Sequence, residues 1–556
     1  MNESVCIVIT SGGRTADHED PVLSCCRLLK EAGEGSCVLL SADPSAAIPD
    51  SRCDLPCLHA VRDTDIKDLY RQALAYGTDR ILRIDASILS TGIIQDLLDQ
   101  CGEYDVIAGT SGTHEQDRIR SFISRYYHND IPLADLPCLC ISRFVLENYL
   151  EILPDNFPLN DLLLPVLCTA GEEKICYREM DGCTPAKISD AYFRAGRDTL
   201  IRLAKRFAYA TDKELRAARR QFMGPVLYAE DLVRHILIKA GFRKIRQRTD
   251  EEITEIRCRQ GKARECLEYN CLRHIRRFPD LDHPATFCEK MQWLKLYNSI
   301  PEKTLLTDKY RAKQWVAEHL GDEYNVPVLG VWDRPEDIDF DALPERYVLK
   351  TNHSWHTLIV VHEGEMIPPW GKYPLNREQM VQWLDEWMQE DFAYRMCEYH
   401  YLPIRPLVFA EECLPHLKQG SEEYKLLCIN GKVEFIHAFQ TYEEDGAKHS
   451  FDELYTTDWV KLDWVTDRTD HKADQPLPRP DTLEEMIRIA ESVSRDFPVL
   501  RMDFYDVGGK LYMGEFTFTS SSGYSDFTSL AYDLALGRKV TLPQKKYDSF
   551  RKTWSE

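Results

Sequence analysis

Two carboxylates and a guanidinium stand close together in VLRMDFYDVGGKLYMGEFTFTSSSG, at Arg501, Asp503 and Glu515. Apolar runs flank Gly508-Gly509, which is the pattern of a β-hairpin. Strand side chains alternate, so Arg501 and Asp503 share one face, and Glu515 shares one with Thr517. A three-residue connection over 507–509, with a glycine in the left-handed conformation, sets Arg501 opposite Glu515 and Asp503 opposite Met513. The three charges then meet on a single face. A two-residue connection puts the pairs on opposite faces. Charge on a half-buried sheet needs a partner. Two readings fit equally. One is Mg2+ bridging nucleotide phosphates, since that ion takes few protein carboxylates and completes its octahedron with phosphate and water. The other is an ordinary ion pair across a hairpin.

Upstream segments add charges at strand ends. YVLKTNHSW carries Lys350 to the start of a loop. EYKLLCINGKVEFIHAF is a hairpin about an Asn-Gly turn, with Lys425 in its first strand. PLVFAEECL is an apolar strand ending on Glu411 and Glu412. A lone strand lysine is commonly an edge charge; cations and acids gathered beside a candidate metal hairpin suggest a polyanion site instead. His353-x-x-His356 with Cys397-x-x-His400 also has the spacing of a zinc site.

The elements that must position these residues fall into three segments of different character. Residues 1–183 alternate short β-branched runs (VCIVITS, CVLLSA, RILRIDAS, YDVIAGTS) with helical patterns, which indicates an α/β domain around a mostly parallel sheet. Its strand-end polar groups, Thr10-Ser11-Gly12-Gly13 and Asp85-Ala86-Ser87, gather at the carboxyl edge where such sheets bind ligands. Residues 184–277 read as helical and basic. They hold 23 Lys+Arg against 12 Asp+Glu, a surplus of 11 in a chain of net charge −22. The segment is a connector between acidic domains or a groove for an anionic substrate. Phe278-Pro279-Asp280 marks the break before residues 278–556, an α+β segment.

Composition sets outer limits. A chain of 556 residues exceeds one hydrophobic core. Its net charge argues against nucleic acid as a partner of the whole surface. No stretch approaches the ~18 apolar residues of a membrane span, and the run Val5 to Ile9 is too short for a signal peptide. The 19 cysteines include no CxxC pair and sit mostly in apolar runs, as reduced thiols do in a cytoplasmic protein.

From about Phe278 onward the chain resembles the ATP-grasp proteins related to teichuronopeptide biosynthesis, the TupA-like type. The resemblance is carried in order by PATFCEKMQWLKLYN, LLTDKYRAKQWVAEHLG, YNVPVLGVWDRPEDIDFDALPERYVLKTNH, FAEECL, YKLLCINGK, DFPVLRMDFYDVGGKLYMGEFTF and SSSG. It implies an ATP- and Mg2+-dependent ligase that joins a carboxylate to an amine through an acyl phosphate. By position, Lys309 and Lys350 are implied as the nucleotide lysines, and the loop 351–357, with His353 and Ser354, as the phosphate cover. Glu411 and Glu412 are implied beside adenine and ribose, and Lys425 facing the phosphates. Arg501 is implied on the migrating phosphoryl group, with Asp503, Glu515 and Thr517 holding the metal. That phosphate loop is glycine-rich in the family. Here it has no glycine, so side chains replace backbone donors or the site binds nucleotide without turnover.

Residues 1–183 resemble a GT-A type glycosyltransferase, on RILRIDASILS, DLLDQCGEYDVIAGT and Phe157-Pro158-Leu159-Asn160-Asp161. Ser87 replaces the second acid of the usual Asp-x-Asp beside Asp85, so no complete metal–diphosphate site is expected there. Together the two resemblances imply attachment of an amino acid or other amine to an acidic glycan, its precursor or a small-molecule carboxylate. A nucleotide sugar is a further candidate ligand at the N-terminal domain. The alternatives are a surface-polysaccharide glycosyltransferase and a nucleotide-binding scaffold.

Overall fold

The computed structural model of the protein describes residues 5–9, 37–41, 57–60, 66–75, 79–84, 104, 106–110, 124–125, 127, 138–154, 160–179, 190–239, 246–362, 365–368, 375–414, 419–444, 447–462, 477–525, 527 and 529–544. The chain divides into two compact units. The first is Met1–Leu215 with Arg276–Asp280 and Thr528–Ala535; the second is Arg216–Ile275, Leu281–Phe527 and Leu536–Glu556. The boundary expected near residue 183 lies outside the described residues. The helices between Arg216 and Ile275 belong to the second unit.

The first unit is built on a seven-stranded sheet of β1 (Val5–Ile9), β2 (Cys37–Ser41), β3 (Cys57–Ala60), β4 (Arg80–Ile84), β5 (Val106–Thr110), β6 (Cys138–Ser142) and β7 (Ile175–Glu179), in the order β3-β2-β1-β4-β6-β5-β7. Only β6 runs antiparallel to its neighbours, so the sheet is mostly parallel, as the alternating pattern indicates. Adjacent Ile81 and Leu82 are both fully buried, which requires cover on both faces and matches the continuous apolar runs of parallel strands. Helices α1 (Ile66–Ala75), α2 (Arg143–Tyr149), α3 (Asn160–Ala170) and α4 (Asp190–Phe207) accompany it. Asp85, Ser87 and residues 10–13 lie outside the described residues.

Four helices follow, α4 and then α5 (Asp212–Lys239), α6 (Asp250–Arg259) and α7 (Ala263–Ile275). Within 184–277 the described residues, 190–239 and 246–277, are mostly helical. A Gly224-Pro225 step breaks α5, with Gly224 at φ 70°. A capping box between Thr249 and Glu252 starts α6.

The second unit carries two antiparallel sheets. Strands β8 (Val328–Trp332), β9 (Arg346–Thr351), β10 (Leu358–His362), β11 (Glu365–Ile367) and β12 (Val408–Glu412) form one, ordered β11-β10-β9-β12-β8. The other joins β13 (Gln419–Ile429), β14 (Lys432–Glu444), β15 (Ala447–Tyr455), β16 (Lys461–Leu462), β17 (Val499–Val507) and β18 (Lys510–Thr517), ordered β16-β15-β14-β13-β17-β18. Helices α8 (Phe287–Tyr297), α9 (Pro301–Thr307), α10 (Lys309–His319), α11 (Arg377–Met388), α12 (Phe392–Met396) and α13 (Leu483–Ser494) pack around them. Met380 and Leu384 of α11 cover Leu349, Ile359 and Val408 of the smaller sheet. Met486 and Ile489 of α13 cover Leu426, Ile436, Met502 and Phe504 of the larger one. The alternate residues of β13 and β17 are thereby left for the opposite face, where the charges lie. Among the described residues no helix is long and apolar enough to cross a membrane.

Candidate active site

The β17–β18 hairpin overturns the expected three-residue connection. Val507 pairs with Lys510, and the turn is the two residues Gly508-Gly509, at φ 61° and 85°. Both central residues at positive φ make this the tight hairpin turn whose twist suits the flanking strands. On a regular ladder that turn would place Glu515 opposite the buried Met502. A β-bulge prevents this: Phe504 pairs with Met513, and Asp503 pairs with Glu515, leaving Gly514 as the extra residue. Below the bulge Arg501 pairs with Thr517. Arg501 thus faces Thr517 and Asp503 faces Glu515, each one pair removed from expectation, yet all stay on one face. The signal was present in LYMGEFTF, because an isolated glycine in a strand pattern marks a bulge.

Register extends the row. Lys425 of β13 pairs with Asp503, so Lys425, Asp503 and Glu515 lie side by side across three strands. They line one cleft together with Lys309, Lys313, Lys350, Thr351, Trp355, His356, Glu411, Glu423, Arg501, Tyr505 and Gly514. Both sheets and α10 contribute to it.

Within the cleft, cations and acids hold each other. Arg501 grips Asp503 with two hydrogen bonds of 2.7 Å, Nε to Oδ1 and Nη2 to Oδ2. It also donates to Thr517 Oγ1 and Ser520 Oγ, each at 3.1 Å. Lys309 Nζ lies 3.0 Å from Glu515 Oε1 and donates to the carbonyl of Ser354 at 2.8 Å. Glu411 accepts from Lys350 and lies 3.0 Å from Lys313. Lys425 is 3.4 Å from Glu423 and 4.3 Å from the Phe439 ring centre. Burial pushes the Glu411 and Glu515 carboxyls up, but Lys350 and Lys313 at the first, and Lys309 and Arg501 at the second, outweigh it and hold both below the ordinary range. Glu423 goes the other way, because burial dominates its single lysine contact.

The loop after β9 is a short connection. Thr351 N donates to Thr357 O at 3.0 Å, closing it. Asn352 pins its base, donating to Arg405 O and accepting from Leu407 N, while the Lys309 amide donates to Asn352 O. His353 and Ser354 are buried, and neither lines the cleft; Trp355 and His356 do. His356 sits at φ 58°, in the left-handed region glycine usually occupies. Burial and the charge of Lys309 push His353 down to about 4.

Glu412 departs from its partner. Successive strand residues point to opposite faces, and Glu411 is buried in the cleft while Glu412 is exposed away from it. Lys313 and Glu423 were missed. Lys313 stands one helical turn after Lys309, and Glu423 two residues before Lys425, so period alone places them on the functional faces. The suggested zinc quartet does not assemble among the described residues, where the one His/Cys/Asp/Glu group close enough for a metal is Cys258, Cys266 and Cys397.

Two antiparallel sheets thus set facing rows of charge around one cleft. Residues 289–541, somewhat under half of the chain, match the TupA-like ATPgrasp family. No curated protein matches the chain. Solved structures similar to it include the D-alanine–D-alanine ligase of Helicobacter pylori, at 14% identity and TM-score 0.23, covering 43% of this chain and 62% of that one. That of Bacillus anthracis stands at 15% and 0.25, covering 42% and 67%. The glucosyl-3-phosphoglycerate synthase of Mycobacterium tuberculosis stands at 13% and 0.28, covering 36% and 79%. The chain thus spans under two thirds of the Helicobacter ligase. Similarity at this level carries no functional inference.

Proposed function

We propose that the C-terminal module uses ATP to activate a carboxylate and passes it to an amine. The acid is an acidic glycan, its precursor or a small molecule, and the amine an amino acid or a relative. A carboxylate oxygen attacks the γ-phosphorus and ADP leaves. The amine nitrogen then attacks the acyl carbon, the C–O bond to phosphate breaks, and the nitrogen loses its proton. Lys309, Lys350 and Lys425 neutralise the phosphates, and Arg501 steadies the migrating phosphoryl group. This is catalysis by positioning and charge.

The observation that supports this reading is the row Lys425, Asp503, Glu515 beside Arg501. Asp503 and Glu515 offer hard oxygen donors on adjacent strands, which fits Mg2+. Those two residues would hold it with Thr517 beside them, and the ion when bound would neutralise phosphate charge. Incubation with ATP, Mg2+ and panels of sugar acids and amino acids should release ADP, and Glu515→Ala should lower that release by about 100-fold or more. Parental rates from Glu515→Ala would defeat the reading. The second reading, a scaffold that binds nucleotide without turnover, is favoured by the glycine-free loop. It becomes the better one if parent and variants bind ATP and none releases ADP.

A further inference from the structure

Three cysteines distant in sequence converge away from the cleft. Cys258 lies in the last turn of α6, Cys266 in α7, and Cys397 caps α12. Their Sγ atoms all lie within 4.8 Å of one another, Cys258 and Cys397 at 3.2 Å. All three are buried, with exposures of 2%, 0% and 0%. A tetrahedral thiolate centre with bonds of about 2.3 Å has sulfur–sulfur edges of roughly 3.8 Å, inside the observed spread.

Two independent features point the same way. Cys397 occupies the left-handed region, φ 56° and ψ 38°, at a helix end where glycine is the unstrained choice. That conformation is held at a residue whose sulfur belongs to the trio. Tyr399 donates its hydroxyl to Cys258 Sγ at 3.2 Å, an outer hydrogen bond of the kind that steadies a ligating thiolate. Buried Lys295 stands nearby, donating to Met396 O at 3.1 Å and lying 3.7 Å from Glu398. The seam between α6 and α12 is otherwise held by the pairs Arg259–Asp391 and Arg395–Glu255.

We propose that Cys258, Cys266 and Cys397 form a three-thiolate centre for a thiophilic d10 cation, Zn2+ foremost, with Cu+ as the other ion of that chemistry. Each S–H proton leaves as its sulfur binds the ion, and no electron is transferred. Three thiolates leave one negative charge on Zn2+ and two on Cu+, and the charge nearer neutral suits a buried place beside a lysine. A water supplies the fourth position Zn2+ seeks, while Tyr399 stays outside as the donor to Cys258. The centre is structural. It staples the α6–α7 pair to the segment in which Glu398 accepts from Thr519 and Ser522, both at 2.6 Å. Ser520, between those two, accepts from Arg501.

The test uses the full chain, purified without a histidine tag. Elemental mass spectrometry should find about one equivalent of Zn2+ per chain. After removal by chelator, Co2+ alone should restore a thiolate-to-cobalt absorption band, and the stripped chain should melt lower than the loaded one. Cys266→Ser should lose the metal, while Cys428→Ala, in β13, should keep it. If Cys266→Ser fails to fold, the metal count and cobalt spectrum of the unaltered chain decide. Copper in place of zinc at the same stoichiometry, lost on Cys266→Ser, supports the centre with the other ion. A chain with neither metal and three alkylatable thiols overturns it, as does a Cys258–Cys397 disulfide.

Discussion

Asp503 and Glu515 carry the same charge into one cleft, yet they differ in what the fold asks of them. Asp503 is 5% exposed and is the bidentate partner of Arg501, itself 19% exposed. Removing it leaves a guanidinium half-buried with only two hydroxyl acceptors, which should cost about 2 kcal/mol. Glu515 pairs with Lys309, which keeps the Ser354 carbonyl when the carboxylate is gone. Its removal should cost under about 1 kcal/mol. Urea unfolding of the two alanine variants without nucleotide checks the order, and equal losses would refute it. His353 makes a separate prediction. Its folded pKa of about 4 lies below the ordinary 6.5, so the unfolded chain takes up the proton first. Stability from this group is full above pH 6.5 and is lost as pH falls toward 4, by up to roughly 3 kcal/mol. Burial also holds His400 low, beside Lys303 and Lys295, and steepens the same slope. His353→Asn should flatten part of it in unfolding curves taken between pH 7 and 4; an unchanged slope would remove His353 from the account.

The elements were legible where local pattern and tertiary environment agree. VCIVITS, CVLLSA, RILRIDAS and YDVIAGTS all contain strands, and the Asn430-Gly431 turn joins Ile429 to Lys432 as its dipeptide foretells. β3, β6 and β7 were not read: CLHA is only four residues, and CLCIS and ICYRE, though as long as β1, have no such run of β-branched residues to set strand apart from helix. The alternation that named Arg501, Asp503 and Glu515 as cleft residues was sound. The register was not, since a two-residue turn and a bulge are two departures from the assumed ladder that cancel in their effect on facing. Alternation separates the neighbouring acids taken together in the sequence, since Glu411 lines the cleft and Glu412 is exposed. The bulge has its own test. A Cβ on Gly514 would meet Tyr505 Cε2 at 3.0 Å and the Asp503 carbonyl at 3.2 Å, and the residue lines the cleft. Gly514→Val should therefore weaken ATP binding about tenfold, with little change in secondary structure. Calorimetric titration beside a circular dichroism spectrum reads both, and unchanged affinity would show that the bulge leaves room no ligand uses.

At the scale of the whole molecule, a chain of net charge −22 is proposed to bind a tetra-anion. Long-range repulsion does not decide this, because charges beyond about 8 Å are screened at physiological ionic strength. What matters is the field inside the cleft, where Lys309, Lys313, Lys350, Lys425 and Arg501 outnumber Glu411, Glu423, Asp503 and Glu515. Burial raises Glu423 toward its neutral form, which widens the surplus. The N-terminal unit has no such set in its sequence: Asp85 stands without a second acid at Ser87, and both lie outside the described residues. The two units should therefore answer differently to ligands in scanning calorimetry of the full chain. ATP with Mg2+ at about 100-fold over its dissociation constant should add about 2.7 kcal/mol to the unit holding the cleft. UDP-sugars with Mn2+ should add nothing to either. A UDP-sugar shift that survives Lys350→Ala would place a working donor site in the first unit and favour the glycosyltransferase alternative. An ATP shift abolished by Lys350→Ala would locate the nucleotide where the charges are, whatever the acid and amine prove to be.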